Sequence, residues 1–250
     1  MKTVERFSNR VENYVKYRPT YPPEVLDLFR DAMNLQNDSI VADIGSGTGI
    51  SAKLFLENGN TVFGIEPNEA MRGAAENFLQ DFPNFQSVNG TAETTNLENK
   101  SVDFIVAAQS FHWFKKTETR KEFKRILKDN GFVVLIWNER QLDSTDFLRG
   151  YEQLLIEFGT DYARVRHENI TKETLQDFFK TDFEQKTFPN VQTVDFGGLK
   201  GRMLSSSYIP TAENPRFPEM LEKLETLFAE HHQNGRIDIL YDTKVFYAQI

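Results

Sequence analysis

The chain has 250 residues, 39% hydrophobic and 26% charged, with 22 phenylalanines to fill a core, enough for one large domain. A net charge of −8 without any Lys/Arg-rich block argues against a nucleic-acid partner. Cysteine is absent, which excludes a disulfide framework, a thiolate nucleophile and a Cys-based zinc site.

The N-terminal stretch "MKTVERFSNRVENYVKYRP" lacks the apolar core of a signal peptide. Apolar runs such as "FVVLIW" are too short to cross a bilayer. The expectation is a cytoplasmic protein with no membrane partner. The first half alternates strand and helix patterns. Ser39–Ile44 reads as a buried strand and Ile50–Asn58 as a helix stopped by Gly59. Asn60–Glu66 is a second strand, and Asn68–Phe82 a helix with Asn68 as N-cap. "FQSVNG" is a weaker third strand and Val102–Gln109 a fourth. Thr117–Gly131 is an amphipathic helix with a glycine stop, followed by a fifth strand over Phe132–Asn138. Apolar strands alternating with helices predict a parallel α/β sheet covered on both faces.

Beyond Asn138 the pattern changes. Helices are expected over Asp143–Phe158, Thr171–Lys180 and Pro218–His232, and a strand over "FEQKTFPN". "FGGLKGRMLSSSYIP" mixes helix and loop signals, and "RIDILYDTKVFYAQI" reads as one or two closing strands. This half is expected to complete the sheet and to insert helices over its active edge.

The stretch "VADIGSGTGI" follows the first strand. In a parallel sheet that loop is the usual ligand site, and glycines let the backbone approach a ligand closely. Gly45, Gly47 and Gly49 make G-x-G-x-G, whereas a dinucleotide fingerprint is G-x-G-x-x-G. Ile50 stands where its third glycine would be, and no Walker G-K-[ST] is present. Asp43 precedes the loop, where a carboxylate disfavours a pyrophosphate and attracts an amine. Glu66 ends the second strand, 23 residues after Asp43, where a carboxylate accepts both hydroxyls of a ribose. An ammonium-bearing nucleoside without phosphate fits this pattern, and S-adenosylmethionine is such a ligand. The bland alternative is a set of turn glycines with incidental acids.

With these residues the chain resembles the class I S-adenosylmethionine-dependent methyltransferases. Within them it is similar to the small-molecule group that includes the trans-aconitate methyltransferases. The likeness runs from Tyr14 to Arg140, carried by the glycine motif, "AAQSFHWF" and "RILKDNGFVVLIWNER", with an echo in "LKGRMLSSSYIP". It implies a Rossmann-like, mostly parallel seven-stranded sheet with a helical lid. In that frame residues 1–30 are an N-terminal lid segment, 31–138 the cofactor core, and 139–250 lid insertions and closing strands. Asp43, Gly45, Gly47 and Gly49 would surround the methionine part of the cofactor. Glu66 would bind the ribose, with Pro67, Asn68, Ala92 and Glu93 beside the adenine. Gln109 and Ser110 would lie below the sulfonium, and Tyr17 and Arg18 would meet the cofactor carboxylate from a segment folded over it. The chain departs from the family at Thr95-Asn96, where Leu-Pro is frequent, at Lys115, where Asp is usual, and at Asn130-Gly131, where Pro-Gly is frequent.

His112 and Trp113 follow the fourth strand. As site residues, His112 is a candidate general base and Trp113 an aromatic wall facing a cation; as structural ones, they pack the sheet edge. Arg18 suits a carboxylate of cofactor or substrate. His231-His232 carries no metal-ligand spacing, and no metal is expected. Arg140, Arg149, Arg164, Arg166 and Arg202 read chiefly as surface charge, with one or two free to converge on an acidic substrate. The likeness implies a small-molecule acceptor. The subgroup likeness implies methylation of a carboxylate of a small organic acid. Another small-molecule O-, N- or C-methyltransferase, or a cofactor-binding protein without transferase activity, is the alternative.

Overall fold

The computed structural model describes residues 11–160, 162 and 171–250. Seven strands form one sheet in the order β3-β2-β1-β4-β5-β7-β6. The strands are β1 (Ile40–Ile44), β2 (Thr61–Ile65), β3 (Phe85–Val88), β4 (Val102–Ala108), β5 (Leu127–Arg140), β6 (Glu184–Val194) and β7 (Ile237–Ala248). The first five pair in parallel, and β7 runs antiparallel between β5 and β6. Chain order reverses between β1 and β4, so the carboxyl ends of those two strands flank the topological switch point.

Successive residues of the central strands face opposite sides. Val41, Phe104, Val106, Val134 and Ile136 pack one way, against Phe29 of α2 (Glu24–Met33) and Phe55 of α3 (Ile50–Glu57). Ala42, Ile44, Ile105, Val133 and Leu135 pack the other way, against Phe123 of α5 (Lys116–Ile126) and Phe178 of α7 (Lys172–Phe179). Both faces being covered explains why these strands are apolar throughout. A third cluster joins α6 (Asp146–Phe158), α8 (Phe196–Leu204) and α9 (Phe217–His231) to Ile237, Ile239 and Tyr241 of β7. The Phe and Leu positions of α6 and α9 thus form a separate small core beside the carboxyl edge of the sheet.

Several boundaries differ from expectation. Helix α5 ends at Ile126, and Gly131 is not its stop. Leu127 already pairs with Val102, and Phe132 with Phe104, so the residues between bulge out of the strand. A Cβ on Gly131 would lie 2.6 Å from the Asp103 carbonyl oxygen; the glycine serves that close strand approach. Of the one or two closing strands expected, the structure has one long one, and β6 runs beyond its expected end to Val194. Pro189 is tolerated there because β6 lies at the sheet edge. Helix α4 (Glu69–Phe78) has Asn68 as its N-cap, accepting from the Met71 N–H at 3.0 Å. No helix among the described residues is long and apolar enough to cross a membrane.

Candidate functional site

The loop between β1 and α3 turns on three glycines in the left-handed region, at φ +68°, +56° and +85° for Gly45, Gly47 and Gly49. Two of them are also demanded by packing. A Cβ on Gly45 would lie 2.7 Å from Ser110 Cβ, and one on Gly49 2.6 Å from Leu79 Cδ1. Gly49 therefore seats the start of α3 against the end of α4 and is not part of the cavity wall. Gly45, Ser46, Gly47, Thr48, Ile50 and Ser51 do line a cavity of about 370 Å³ at the switch point.

Glu66 lines the same cavity. Its Oε2 accepts from the Gly47 N–H at 3.0 Å and its Oε1 from the Asn68 N–H at 2.8 Å. Burial raises the Glu66 carboxyl, and these two donors and Arg72 oppose the shift. Asp43 sits behind the loop and outside the wall, fully buried. Ser51 Oγ donates to its Oδ2 at 2.6 Å, while Oδ1 is buried with no hydrogen-bond partner. Burial, with a smaller contribution from Glu66, pushes the Asp43 carboxyl up to about 7.

Pro67, Asn68, Ala92 and Glu93 close one end of the cavity. Glu93 is fixed by the Lys115 N–H, which donates to its Oε1 at 2.8 Å. Thr95, one of the departures from the family pattern, is buried and bonds Glu122 through both its N–H and its hydroxyl. Arg125 holds the Glu122 carboxyl down to about 2. Thr95 thus braces the loop and does not line the cavity.

Gln109 and Ser110 follow β4 and line the cavity. Ser110 Oγ donates to the Ile44 carbonyl at 2.7 Å, tying β4 to β1. Gln109 has φ +58°, and its Oε1 is buried without a partner. The aromatic run then divides. In the 3₁₀ turn Phe111–Trp113, Phe111 enters the core against Phe178, with ring centroids 4.6 Å apart. His112 and Trp113 face the cavity with rings 4.5 Å apart.

The other end was largely missed from sequence. Tyr14, Arg18 and Tyr21 line it from the N-terminal segment, Asn138 and Arg140 from the end of β5, and Arg202 and Tyr208 from α8 and its following loop. Tyr17 is not in the wall. Its ring packs where a Gly201 side chain would be, holding α1 (Val11–Tyr17) on α8, and its carbonyl accepts from Gln192 at 2.8 Å. Asn138 Nδ2 donates to the Thr20 carbonyl at 3.1 Å and Asn190 Nδ2 to the same oxygen at 2.8 Å. The N-terminal segment is thereby strapped across the sheet. Arg140 is paired with Glu152, whereas Arg149 is exposed beside Asp146. Arg164 and Arg166 lie outside the described residues. His231 Nδ1 contacts the Leu227 carbonyl, and no His/Asp/Glu group among the described residues could hold a metal.

A family model described as "Methyltransferase domain" matches residues 42–135, from β1 into β5. An uncharacterized methyltransferase of Mycobacterium tuberculosis is 33% identical over 225 residues, 90% of this chain and 86% of that one. The chain belongs to the methyltransferase family. A methyltransferase of Schizosaccharomyces pombe, also uncharacterized, is 30% identical over 150 residues, which cover 60% of this chain and 58% of that protein. The chain thus spans about three fifths of that relative's length. Among solved structures, a protein from Anaeromyxobacter dehalogenans assigned as a type II methyltransferase superposes with a TM-score of 0.71 at 18% identity, covering 93% of this chain and 98% of that one. That likeness shows the fold alone: the chain has a mostly parallel seven-stranded α/β sheet, and its cavity lies at the carboxyl ends of β1, β2 and β4.

Proposed function

We propose that the cavity binds S-adenosylmethionine and that the enzyme methylates a small organic acid on a carboxylate. The observation that carries the cofactor assignment is the pair of carboxylates at the glycine loop. Glu66 already takes the Gly47 N–H, an amide a pyrophosphate would need, and Asp43 puts a second buried carboxyl behind the same loop. Ile50 lines the wall where a dinucleotide fold needs glycine. This environment repels phosphate and accepts hydroxyls and an ammonium group.

In this reading Glu66 takes the ribose hydroxyls, with Pro67, Asn68, Ala92 and Glu93 around the adenine. Gly45 and Gly47 border the methionine part, and the unpartnered Asp43 Oδ1 favours the ammonium from behind. Arg18 takes the cofactor carboxylate, and Gln109 and Ser110 lie below the sulfonium. Bound S-adenosylmethionine supplies an electrophilic methyl group on a sulfonium. The chain's task is to hold a nucleophile in line with it and to exclude water. Trp113 and His112 wall the acceptor end, and the N-terminal segment strapped by Asn138 and Asn190 covers it. A carboxylate acceptor arrives ionised and needs no general base. Incubation with S-adenosylmethionine and a panel of organic acids should release S-adenosylhomocysteine and yield a methyl ester by mass spectrometry. Methylation confined to phenols or amines would refute the carboxylate assignment.

A further inference from the structure

The acceptor end holds two cationic side chains with no carboxylate partner among the described residues. Arg202 is 8% exposed. Among the described residues its guanidinium hydrogen-bonds neutral oxygens: the Tyr241 hydroxyl at 3.2 Å from Nε and Ser206 Oγ at 3.2 Å from Nη1. Arg18 donates to the Ser205 carbonyl at 3.1 Å, stacks 4.7 Å from the Tyr14 ring centroid, and leaves a buried Nε without a hydrogen bond. Both side chains line the same cavity. Arg140, in the same wall, shows the contrasting case, since Glu152 neutralises it.

Two like charges placed close together and away from water are unfavourable unless anions arrive to pair with them. The repulsion is felt at Arg18, whose guanidinium is pulled below its ordinary value first by burial and then by the Arg202 charge. The cofactor of the proposed reaction carries a single carboxylate, which can satisfy one arginine. Its sulfonium adds positive charge to the same region.

We infer that Arg202 holds an anionic group of the acceptor, while Arg18 takes the carboxylate of the cofactor; this rests on the reading of the cavity as an S-adenosylmethionine site. A guanidinium that grips a carboxylate through two N–H donors engages the lone pairs that an attack on the methyl group would use. The anion on Arg202 is therefore a handle, and the methylated atom is a second group of the same molecule. Methylation leaves the handle charged, so the product keeps one negative charge. An acceptor with one carboxylate and no second nucleophile binds at Arg202 without being turned over.

The test uses the full chain loaded with S-adenosylhomocysteine, at fixed ionic strength. Malonate, succinate and glutarate, with the monoamide and diamide of each, are titrated by calorimetry. At least one diacid and its monoamide should bind, and the neutral diamide should not. Arg202→Gln should weaken the diacid by roughly tenfold or more, as loss of a charge-assisted pair does, and leave the S-adenosylhomocysteine affinity within about twofold. Arg202→Lys should recover part of the diacid affinity. Arg18→Gln should show the reverse pattern, a loss at the cofactor with S-adenosylhomocysteine. Equal binding of diacid and diamide, no binding of any diacid, or undiminished diacid binding in Arg202→Gln would each overturn the inference. If Arg202→Gln fails to fold, the wild-type comparison still decides whether the site requires an anion, and undiminished diacid binding in Arg202→Lys would overturn the assignment to Arg202. A wild-type chain that does not bind S-adenosylhomocysteine would instead remove the cofactor reading, and the handle with it.

Discussion

Asp43 and Glu66 flank one loop and differ in what satisfies them. Glu66 has two backbone donors, whereas Asp43 has Ser51 on one oxygen and no partner on the other. Burial lifts the Asp43 carboxyl to about 7. A carboxyl whose folded value is raised contributes stability below its unfolded value and loses that contribution as pH rises through the folded value. Without ligand, the protein should lose the Asp43 contribution between about pH 4 and about pH 7. Asp43→Asn should then raise the melting temperature of the ligand-free protein at about pH 8, by roughly 2–4 °C for each kcal/mol regained. The same change should weaken S-adenosylmethionine. A variant with unchanged cofactor affinity would show that Asp43 does not face the ammonium. Glu66→Ala should cost roughly 1–3 kcal/mol of cofactor affinity, the loss expected when paired hydroxyls lose a charged acceptor; calorimetry reads this directly. For His112→Ala the expected loss is in turnover with the cofactor dissociation constant preserved, and both parameters at wild-type values would remove His112 from the acceptor wall.

At the scale of elements, the glycine loop is held by φ and by packing together. Gly49→Ala meets both penalties, a positive φ and Leu79 Cδ1 at 2.6 Å. Gly59, at φ +95°, has nothing within 4 Å of an added Cβ, so Gly59→Ala meets the backbone penalty alone, roughly 1–2 kcal/mol. Thermal unfolding should find Gly49→Ala clearly less stable than Gly59→Ala, and equal losses would mean that α4 simply shifts away. The parallel strands were readable in sequence because both their faces are buried, which makes them short apolar runs. The Asn68 cap was readable because its side chain acts on the next turn. The end of α5 was not, since the Asn130-Gly131 signal belongs to a strand bulge and to the contact with Asp103. Thr95 shows the same limit: its reason is Glu122, which lies 27 residues away in sequence.

At the scale of the whole molecule, the cavity joins two halves of different origin. The half proposed to hold the cofactor comes from consecutive β–loop–α units, so Gly45, Gly47 and Glu66, which line the cavity, were legible from local pattern and spacing, whereas Ser110 came from the family resemblance. The half proposed to hold the acceptor is assembled from the N-terminal segment, the end of β5 and the α8 region, where Arg18 and Ser205 meet across 187 residues. No periodicity marks such convergence, and Arg140 and Arg202 looked like surface charge because most arginines are. The Tyr17 side chain illustrates the point: its motif predicted a cofactor contact, and the fold uses the ring to dock α1 on α8. The proposed chemistry of the cavity rests on one ligand preference. Thermal shift with S-adenosylmethionine, S-adenosylhomocysteine, NAD and NADP should raise the melting temperature for the first two alone, and Glu66→Ala should diminish that rise. Stabilisation by NAD or NADP, or by none of the four, would contradict it.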